Sequence, residues 1–83
     1  MSHLEDAKAI VAGAMHIDPS GLNEETSAET AAGWDSVAHI NILLAIEERI
    51  GGGVPVERIV ALSSVGAIAA FLQDFEGGGP SGG

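Results

Sequence analysis

The feature that most limits the fold of this chain is an apolar run, residues 37–50, between Asp35-Ser36 and three consecutive glycines. Aspartate is a favoured N-cap, and glycine often follows the last residue of a helix. At about 100° per residue, one face of the predicted helix points to the core; it carries His39, Ile42, Leu43, Ile46 and Ile50. The opposite face carries Val37, Asn41, Leu44 and Glu48. The pattern therefore predicts an amphipathic helix that leaves two apolar residues pointing outward.

A first helix is predicted at the start of the chain. Ser2 and Glu5 have the spacing of a capping box, in which each side chain binds a backbone amide at the helix start. Apolar residues then recur at helical spacing, at Leu4, Ala7, Val11, Ala14 and Met15. Asp18-Pro19 is expected to end this helix, because proline disfavours helical geometry in the residue before it.

The rest of the chain predicts a long loop and two more helices. The loop covers residues 17–34, with Ile17 and Leu22 as its expected contacts with the core. Pro55 suits the first position of a short third helix over residues 56–62. Ser63 or Ser64 would cap a fourth helix over residues 65–75, whose expected buried stripe is Val65, Ile68, Ala69, Leu72 and Phe75.

No β-alternation or tight hairpin signal interrupts this series. We therefore predict an all-α four-helix bundle with a long first loop and a short third helix. The expected domain covers residues 1–76, followed by a flexible Gly-rich tail over residues 77–83.

The chain is strongly acidic, with twelve Asp and Glu against three Lys and Arg and a formal net charge of −9. Such a surface repels nucleic acids and anionic membranes and favours basic protein surfaces. The chain has no cysteine, which excludes disulfides and a thiolate metal site. We therefore expect a cytoplasmic monomer that binds neither nucleic acid nor membrane. We also expect no metal site, because the three histidines lack the spacing of metal ligands.

Ser36 is the most informative single residue. It follows Asp35 where a loop meets the predicted helix, so its hydroxyl should face solvent. Free backbone amides and the positive end of the helix dipole would lie beside any phosphate attached there. The alternative reading is that Asp35 and Ser36 simply begin a helix.

Asp35-Ser36-Val37, before an apolar helix ending Ala45-Ile46-Glu47-Glu48-Arg49-Ile50, resembles the Asp-Ser-Leu motif of acyl carrier proteins. The resemblance covers roughly residues 2 to 76. It implies a bundle of acyl carrier type, in which a phosphopantetheinyl transferase attaches 4′-phosphopantetheine to Ser36. The thiol of that arm would carry an acyl or aminoacyl group as a thioester between biosynthetic enzymes, and the protein would catalyse nothing.

Partner enzymes of this family dock mainly on the motif helix. The resemblance thus makes Val37, Asn41, Leu44, Glu47 and Glu48 the candidate partner-binding residues. Several features depart from the pattern of fatty-acid carriers. Val37 stands where leucine is usual, and Ala38 and Asn41 occupy positions that are often acidic. His39 follows the serine by three residues, and three glycines link the motif helix to the third helix. They favour a role in polyketide, nonribosomal-peptide or other specialised biosynthesis over fatty acid biosynthesis.

Two alternatives remain open. The chain could be an unmodified interaction module that docks a partner through Val37 and Leu44. A small hydrolase using Asp35, Ser36 and His39 is disfavoured, because His39 tends toward the core face and no oxyanion site or pocket is evident. Trp34, beside the motif, is expected to pack the end of the long loop onto the domain, the alternative being contact with the arm or a partner.

Overall fold

The structure is a computed structural model that describes residues 3–77. It contains four α-helices: α1 (His3–Met15), α2 (Ser36–Ile50), α3 (Val56–Ile59) and α4 (Val65–Leu72). A 3₁₀ turn, Pro19–Gly21, lies in the first loop, and a π-helical turn, Gln73–Gly77, follows α4. The all-α bundle with a long first loop and a short third helix is confirmed. Ser2 of the expected capping box and residues 78–83 of the expected tail lie outside the described residues.

The core lies where α1, α2 and α4 pack together. Ala7 and Val11 of α1, Ile42 and Ile46 of α2, and Ile68 of α4 are completely buried. On the rim of the core, an ion pair of 2.8 Å joins Arg49 of α2 to Asp6 of α1. No helix within residues 3–77 is long and apolar enough to cross a membrane.

The first helix ends at Met15, three residues before the expected breaker Asp18-Pro19. His16 adopts a left-handed backbone with φ 58°, and the amide of Ile17 donates to the carbonyl of Ala12 over 3.0 Å. This is the Schellman arrangement that commonly ends helices, here with histidine where glycine is usual. Asp18 instead caps the following 3₁₀ turn, accepting a hydrogen bond from the amide of Ser20.

The first loop is attached to the core by Leu22, which is buried as expected. Ile17, the other expected anchor, is 42% exposed, so that prediction was wrong. Its position directly after the left-handed residue His16 turns it outward at the end of α1.

Backbone hydrogen bonds also fix the loop against Ser63 and the first turn of α4. The amide of Ala28 donates to the carbonyl of Ser63, and the amide of Val65 donates to the carbonyl of Thr26, both over 2.9 Å. The amide of Gly66 donates to the carbonyl of Glu24. These bonds hold the loop that leads to α2, and therefore help to position the start of α2.

The last two helices are shorter than predicted. α3 ends at Ile59 and not at residue 62, although the amide of Leu62 still donates to the carbonyl of Arg58. α4 begins after Ser64, whose side chain caps the amide of Ala67, and it ends at Leu72 and not at residue 75.

Phe75 was wrongly assigned to the buried stripe of α4. It is 51% exposed, and Phe71 is buried in its place at 7%. The cause is the π-helical turn after Leu72, because its wider turn rotates later residues out of the α-helical register. The two rings still stack, with centroids 6.3 Å apart.

Candidate functional site

Ser36 is the first residue of α2 and is exposed, as predicted. Asp35 immediately before it has an extended backbone, and its Oδ1 accepts a hydrogen bond of 2.9 Å from the amide of Ala38. This cap was predicted from the sequence. It fixes where α2 begins, and therefore fixes the Ser36 hydroxyl at the junction of loop and helix.

The start of α2 is suited to a phosphate group. The first amides of any helix have no intrahelical acceptor, and at this end Ser36 and Val37 supply two of them. The dipole of this 15-residue helix adds partial positive charge at the same place. A phosphodiester on Ser36 would lie beside amide donors, and the exposed serine is accessible from solvent. The residues present therefore fit a phosphate-linked group.

An open groove of about 590 Å³ begins at Ser36 and runs between α2 and α3. Its apolar wall is formed by Ile40 and Leu43 from α2, with Ile59 and Val60 from the α3 side. Polar residues around the groove are Glu29, Asp35, Ser36, His39 and Ser63. Any group attached to the Ser36 hydroxyl therefore starts at the edge of a mainly apolar surface.

Trp34 and His39 form a hydrogen-bonded chain beside this groove. The indole N–H of Trp34 donates to Nδ1 of His39 over 3.1 Å, so Nδ1 is unprotonated in this arrangement. The proton therefore resides on Nε2, which donates to the carbonyl of Ile59 at 2.9 Å. Through this chain His39 joins the loop before α2 to the end of α3.

Trp34 is only 4% exposed, which confirms that it packs the end of the long loop onto the domain. His39 lies on the core side of α2, half-buried, as expected. Both of its ring nitrogens are occupied by Trp34 and Ile59, so neither is available as a general base for Ser36. The expectation that no pocket is present was wrong, because the groove begins at Ser36. Without a base for the serine, the geometry still gives no support to the hydrolase hypothesis.

The predicted outward face of α2 is exposed. Val37 is 66% and Leu44 57% exposed, and Asn41 and Glu48 are also exposed. Glu47 differs from them: it is half-buried, and its Oε2 accepts a hydrogen bond of 3.0 Å from the amide of Val54. Glu47 thus closes the glycine-rich turn that follows α2.

Sequence reasoning missed two residues of α2. Ile40 is 56% exposed and lines the groove, whereas Ala38 is buried and was not assigned to the core. A finer reading of the helical wheel would have found both, because each lies at the border between the two faces. Within residues 3–77 no group of three His, Cys, Asp or Glu side chains could hold a metal ion.

Comparison with known proteins identifies the class. Residues 5–72 match the phosphopantetheine attachment site family, a stretch that includes the whole of α2 and the groove. The chain is also similar to curated acyl carrier proteins. One from Thermosynechococcus vestitus is 31% identical over 71 residues, which cover 86% of this chain and 88% of that protein.

Two relatives of lower identity carry the same name. An acyl carrier protein of Helicobacter pylori strain G27 is 26% identical over 74 residues, covering 89% of this chain and 95% of its own length. One from Sulfurovum is 23% identical over 74 residues, covering 89% of this chain and 99% of its own. The chain belongs to the acyl carrier protein family.

Several properties follow from this membership. The protein is a carrier and not an enzyme, and its cofactor is a covalently attached 4′-phosphopantetheine. When bound, that group supplies the thiol that holds an acyl group as a thioester. This accounts for a carrier chain without cysteine. Its partners are, in general terms, a phosphopantetheinyl transferase and biosynthetic enzymes. The relatives are named acyl carrier protein without a pathway.

Proposed function

We propose that Ser36 is the residue that carries 4′-phosphopantetheine. The observation that carries this proposal is the exposed hydroxyl at the first position of α2, directly behind the Asp35 cap and at the mouth of the groove. Two other serines of the described chain are already engaged in hydrogen bonds. The Ser27 hydroxyl accepts a bond from the amide of Glu29, and the Ser64 hydroxyl caps α4.

In the proposed loading reaction the Ser36 oxygen attacks the phosphorus of coenzyme A that bears the pantetheine. The new O–P bond forms as the bond to adenosine 3′,5′-bisphosphate breaks, and the serine proton passes to a base of the transferase. Ser36 contributes only the hydroxyl. The exposed amides at the start of α2 would then face the new phosphodiester, where partial positive charge favours an anion.

We propose that partners dock on the outward face of α2, formed by Val37, Asn41, Leu44 and Glu48, with Glu47 next to this face. Val37 and Leu44 are apolar side chains left largely exposed beside the attachment site, and exposed apolar patches often mark interaction sites. Glu48 would meet basic residues of a partner, mainly affecting the rate of encounter. Glu47 is the weakest member of this set, because its carboxylate already binds the Val54 amide.

The proposed role is in polyketide, nonribosomal-peptide or other specialised biosynthesis. The support is local: Ala38 and Asn41 stand at positions of the motif helix that are often acidic in fatty-acid carriers, so this part of α2 is less charged. Val37 in place of leucine and the presence of His39 are further departures from those carriers. A cytoplasmic, monomeric protein is proposed as well, in keeping with a cysteine-free chain of net charge −9. The pathway would be tested by offering the loaded protein to purified ketosynthase and condensation domains.

The attachment site itself is tested by incubating the protein with coenzyme A, magnesium and a broad-specificity phosphopantetheinyl transferase. We expect the wild-type chain to gain the mass of one phosphopantetheinyl group and the Ser36→Ala variant to gain nothing. An unmodified but folded wild-type chain, with an active transferase control, would instead favour an interaction module that docks partners through Val37 and Leu44.

A further inference from the structure

The groove beside Ser36 can be related to the kind of cargo that the carrier holds, on the assumption that Ser36 is the attachment site as proposed above. An acyl chain on the arm has two places to go. It can lie along the open groove, or it can enter between α2 and α3 and displace part of the packed core. Which of the two occurs depends on what holds α3 against α2.

α3 itself contributes little to the core. It has four residues, and none of them is fully buried, although Ile59 is partly buried against the core. Its position instead depends on contacts at its C-terminal end, where the Ile59 carbonyl accepts the hydrogen bond from Nε2 of His39. Arg58 adds a second contact, since its guanidinium carbon lies 5.7 Å from the centroid of the Phe71 ring in α4.

His39 lies between the groove and the interior. Its ring borders the groove, while the residues behind it belong to the core: Ile42 and Ile46 are completely buried and Leu62 is 1% exposed. A chain entering there would have to move the His39 ring. It would thereby separate Nδ1 from the indole of Trp34 and Nε2 from the Ile59 carbonyl. Hydrogen-bonding groups left unpaired in an apolar environment oppose such an entry.

We propose that the hydrogen-bonded chain Trp34–His39–Ile59 closes the interior between α2 and α3 to the cargo. The carrier then holds its acyl group in the surface groove, and it is suited to short or oxygen-substituted acyl groups. Long aliphatic chains gain most from burial, and this carrier does not offer them that burial. His39 is a positioning residue in this scheme, since it acts through the Ile59 carbonyl and not on the thioester.

The test uses one protein loaded with a series of cargoes. The transferase is supplied with acetyl-, 3-oxobutyryl- or octanoyl-coenzyme A, and the intact mass confirms that each acylated arm is attached. Nuclear Overhauser effects are then measured between the acyl group and assigned methyl groups. In the wild-type protein we expect octanoyl contacts to Ile40 and Val60 of the groove, and none to Ile42, Ile46 or Leu62.

Three variants separate the closing chain from a general effect on packing. His39→Ala removes both hydrogen bonds, so octanoyl contacts to Ile46 and Leu62 should appear. The amides of these two residues should also exchange more than about threefold more slowly in the octanoyl-loaded variant than in the acetyl-loaded variant. His39→Gln can still donate to the Ile59 carbonyl and should restore the wild-type pattern. Val56→Ala truncates an exposed side chain of α3 that does not line the groove, and it should also behave as wild type.

Octanoyl contacts to Ile46 or Leu62 in the wild-type protein would overturn the proposal, and this result does not depend on any variant folding. A well-folded His39→Ala protein that still excludes octanoyl would also overturn it, since His39 would not be the barrier. Failure to load any acyl group onto the wild-type chain would be a different result. It would contradict Ser36 as the attachment site. The intact mass alone reports this result, whereas the location of the cargo is measured by the nuclear Overhauser effects.

Discussion

The Oδ1 atom of Asp35 accepts a hydrogen bond of 2.9 Å from the amide of Ala38, and this cap determines where α2 begins. As a result, Ser36 is the first helical residue and its hydroxyl is exposed. If α2 began one residue later, Ser36 would take the N-cap position, where a serine hydroxyl accepts a hydrogen bond from a backbone amide. The placement of the attachment site thus depends on the residue before it.

The first prediction concerns this cap. Asp35→Ala should lower the free energy of unfolding by about 1 kcal/mol, the usual cost of losing a good N-cap. Asp35→Asn keeps an acceptor oxygen at the same position and should stay within about 0.5 kcal/mol of the wild type. Urea unfolding followed by circular dichroism measures both. Equal losses for the two variants would mean that the negative charge, and not the hydrogen bond, stabilises α2.

A second prediction separates the two neighbouring glutamates of α2. Oε2 of Glu47 accepts a bond from the Val54 amide, whereas Glu48 is exposed. Glu47→Ala should therefore lower the free energy of unfolding by about 1 kcal/mol, as expected for losing one hydrogen bond. Glu48→Ala should change it by less than about 0.5 kcal/mol. Urea unfolding measures both variants. An unchanged free energy of unfolding for Glu47→Ala would mean that the bond to Val54 does not stabilise the fold and that the Glu47 carboxylate is available to a docking partner.

The third prediction uses two glycines. A Cβ at Gly66 would lie 2.9 Å from Cγ and 3.0 Å from the carbonyl oxygen of Glu24, and that backbone oxygen cannot move away without breaking the loop contact. Gly66→Ala should cost about 1–3 kcal/mol, in the range of overpacking. A Cβ at Gly13 in α1 meets nothing within 4 Å. Gly13→Ala should therefore stabilise the protein by up to about 1 kcal/mol.

Thermal unfolding of these two glycine variants gives the result directly. The midpoint should fall for Gly66→Ala and rise for Gly13→Ala. If Gly66→Ala unfolded at the wild-type temperature, the close approach of Gly66 to Glu24 would not restrict the residue at position 66.

The fourth prediction concerns docking on α2. Leu44 is 57% exposed, so Leu44→Ala should leave the unfolding midpoint unchanged. We expect it to lower kcat/KM for modification by the transferase by roughly three- to tenfold, since an exposed apolar contact would be lost at the interface. Glu48→Lys should also slow the reaction, more strongly at low salt.

Ile17→Ala serves as the control for docking, because it truncates an exposed aliphatic side chain outside α2. It should be modified at the wild-type rate. Wild-type rates for Leu44→Ala and Glu48→Lys as well would show that the transferase uses another surface.

The start and end of α2 could be predicted from the sequence because each depends on a local signal. Asp35 supplies a cap, and Gly51 adopts the left-handed conformation, with φ 76°, that ends the helix. The predicted inward and outward faces of α2 also hold, because a single helical period covers the whole run. Local chemistry was sufficient for this element, and it is the element that carries Ser36.

Other features depend on distant contacts and could not be read from the pattern. Phe75 is exposed because the backbone widens into a π-helical turn after Leu72, and no local residue type announces that change. Likewise, nothing in the sequence shows that Nε2 of His39 binds the Ile59 carbonyl, twenty residues further along the chain. The groove follows from this long-range packing and was not predicted, whereas the Asp35 cap, the position of Ser36 and the outward face of α2 were.

The most direct test of the carrier assignment is the intact mass of the protein after incubation with coenzyme A, magnesium and transferase, followed by fragmentation to locate the added group. Wild type, Ser36→Ala and a matched Ser20→Ala variant, which removes another exposed serine, are compared. Ser36 as the attachment site predicts one added phosphopantetheinyl group in the wild type and in Ser20→Ala, located on Ser36, and none in Ser36→Ala. Modification of Ser36→Ala, or a folded wild-type chain that stays unmodified beside an active control, would contradict it.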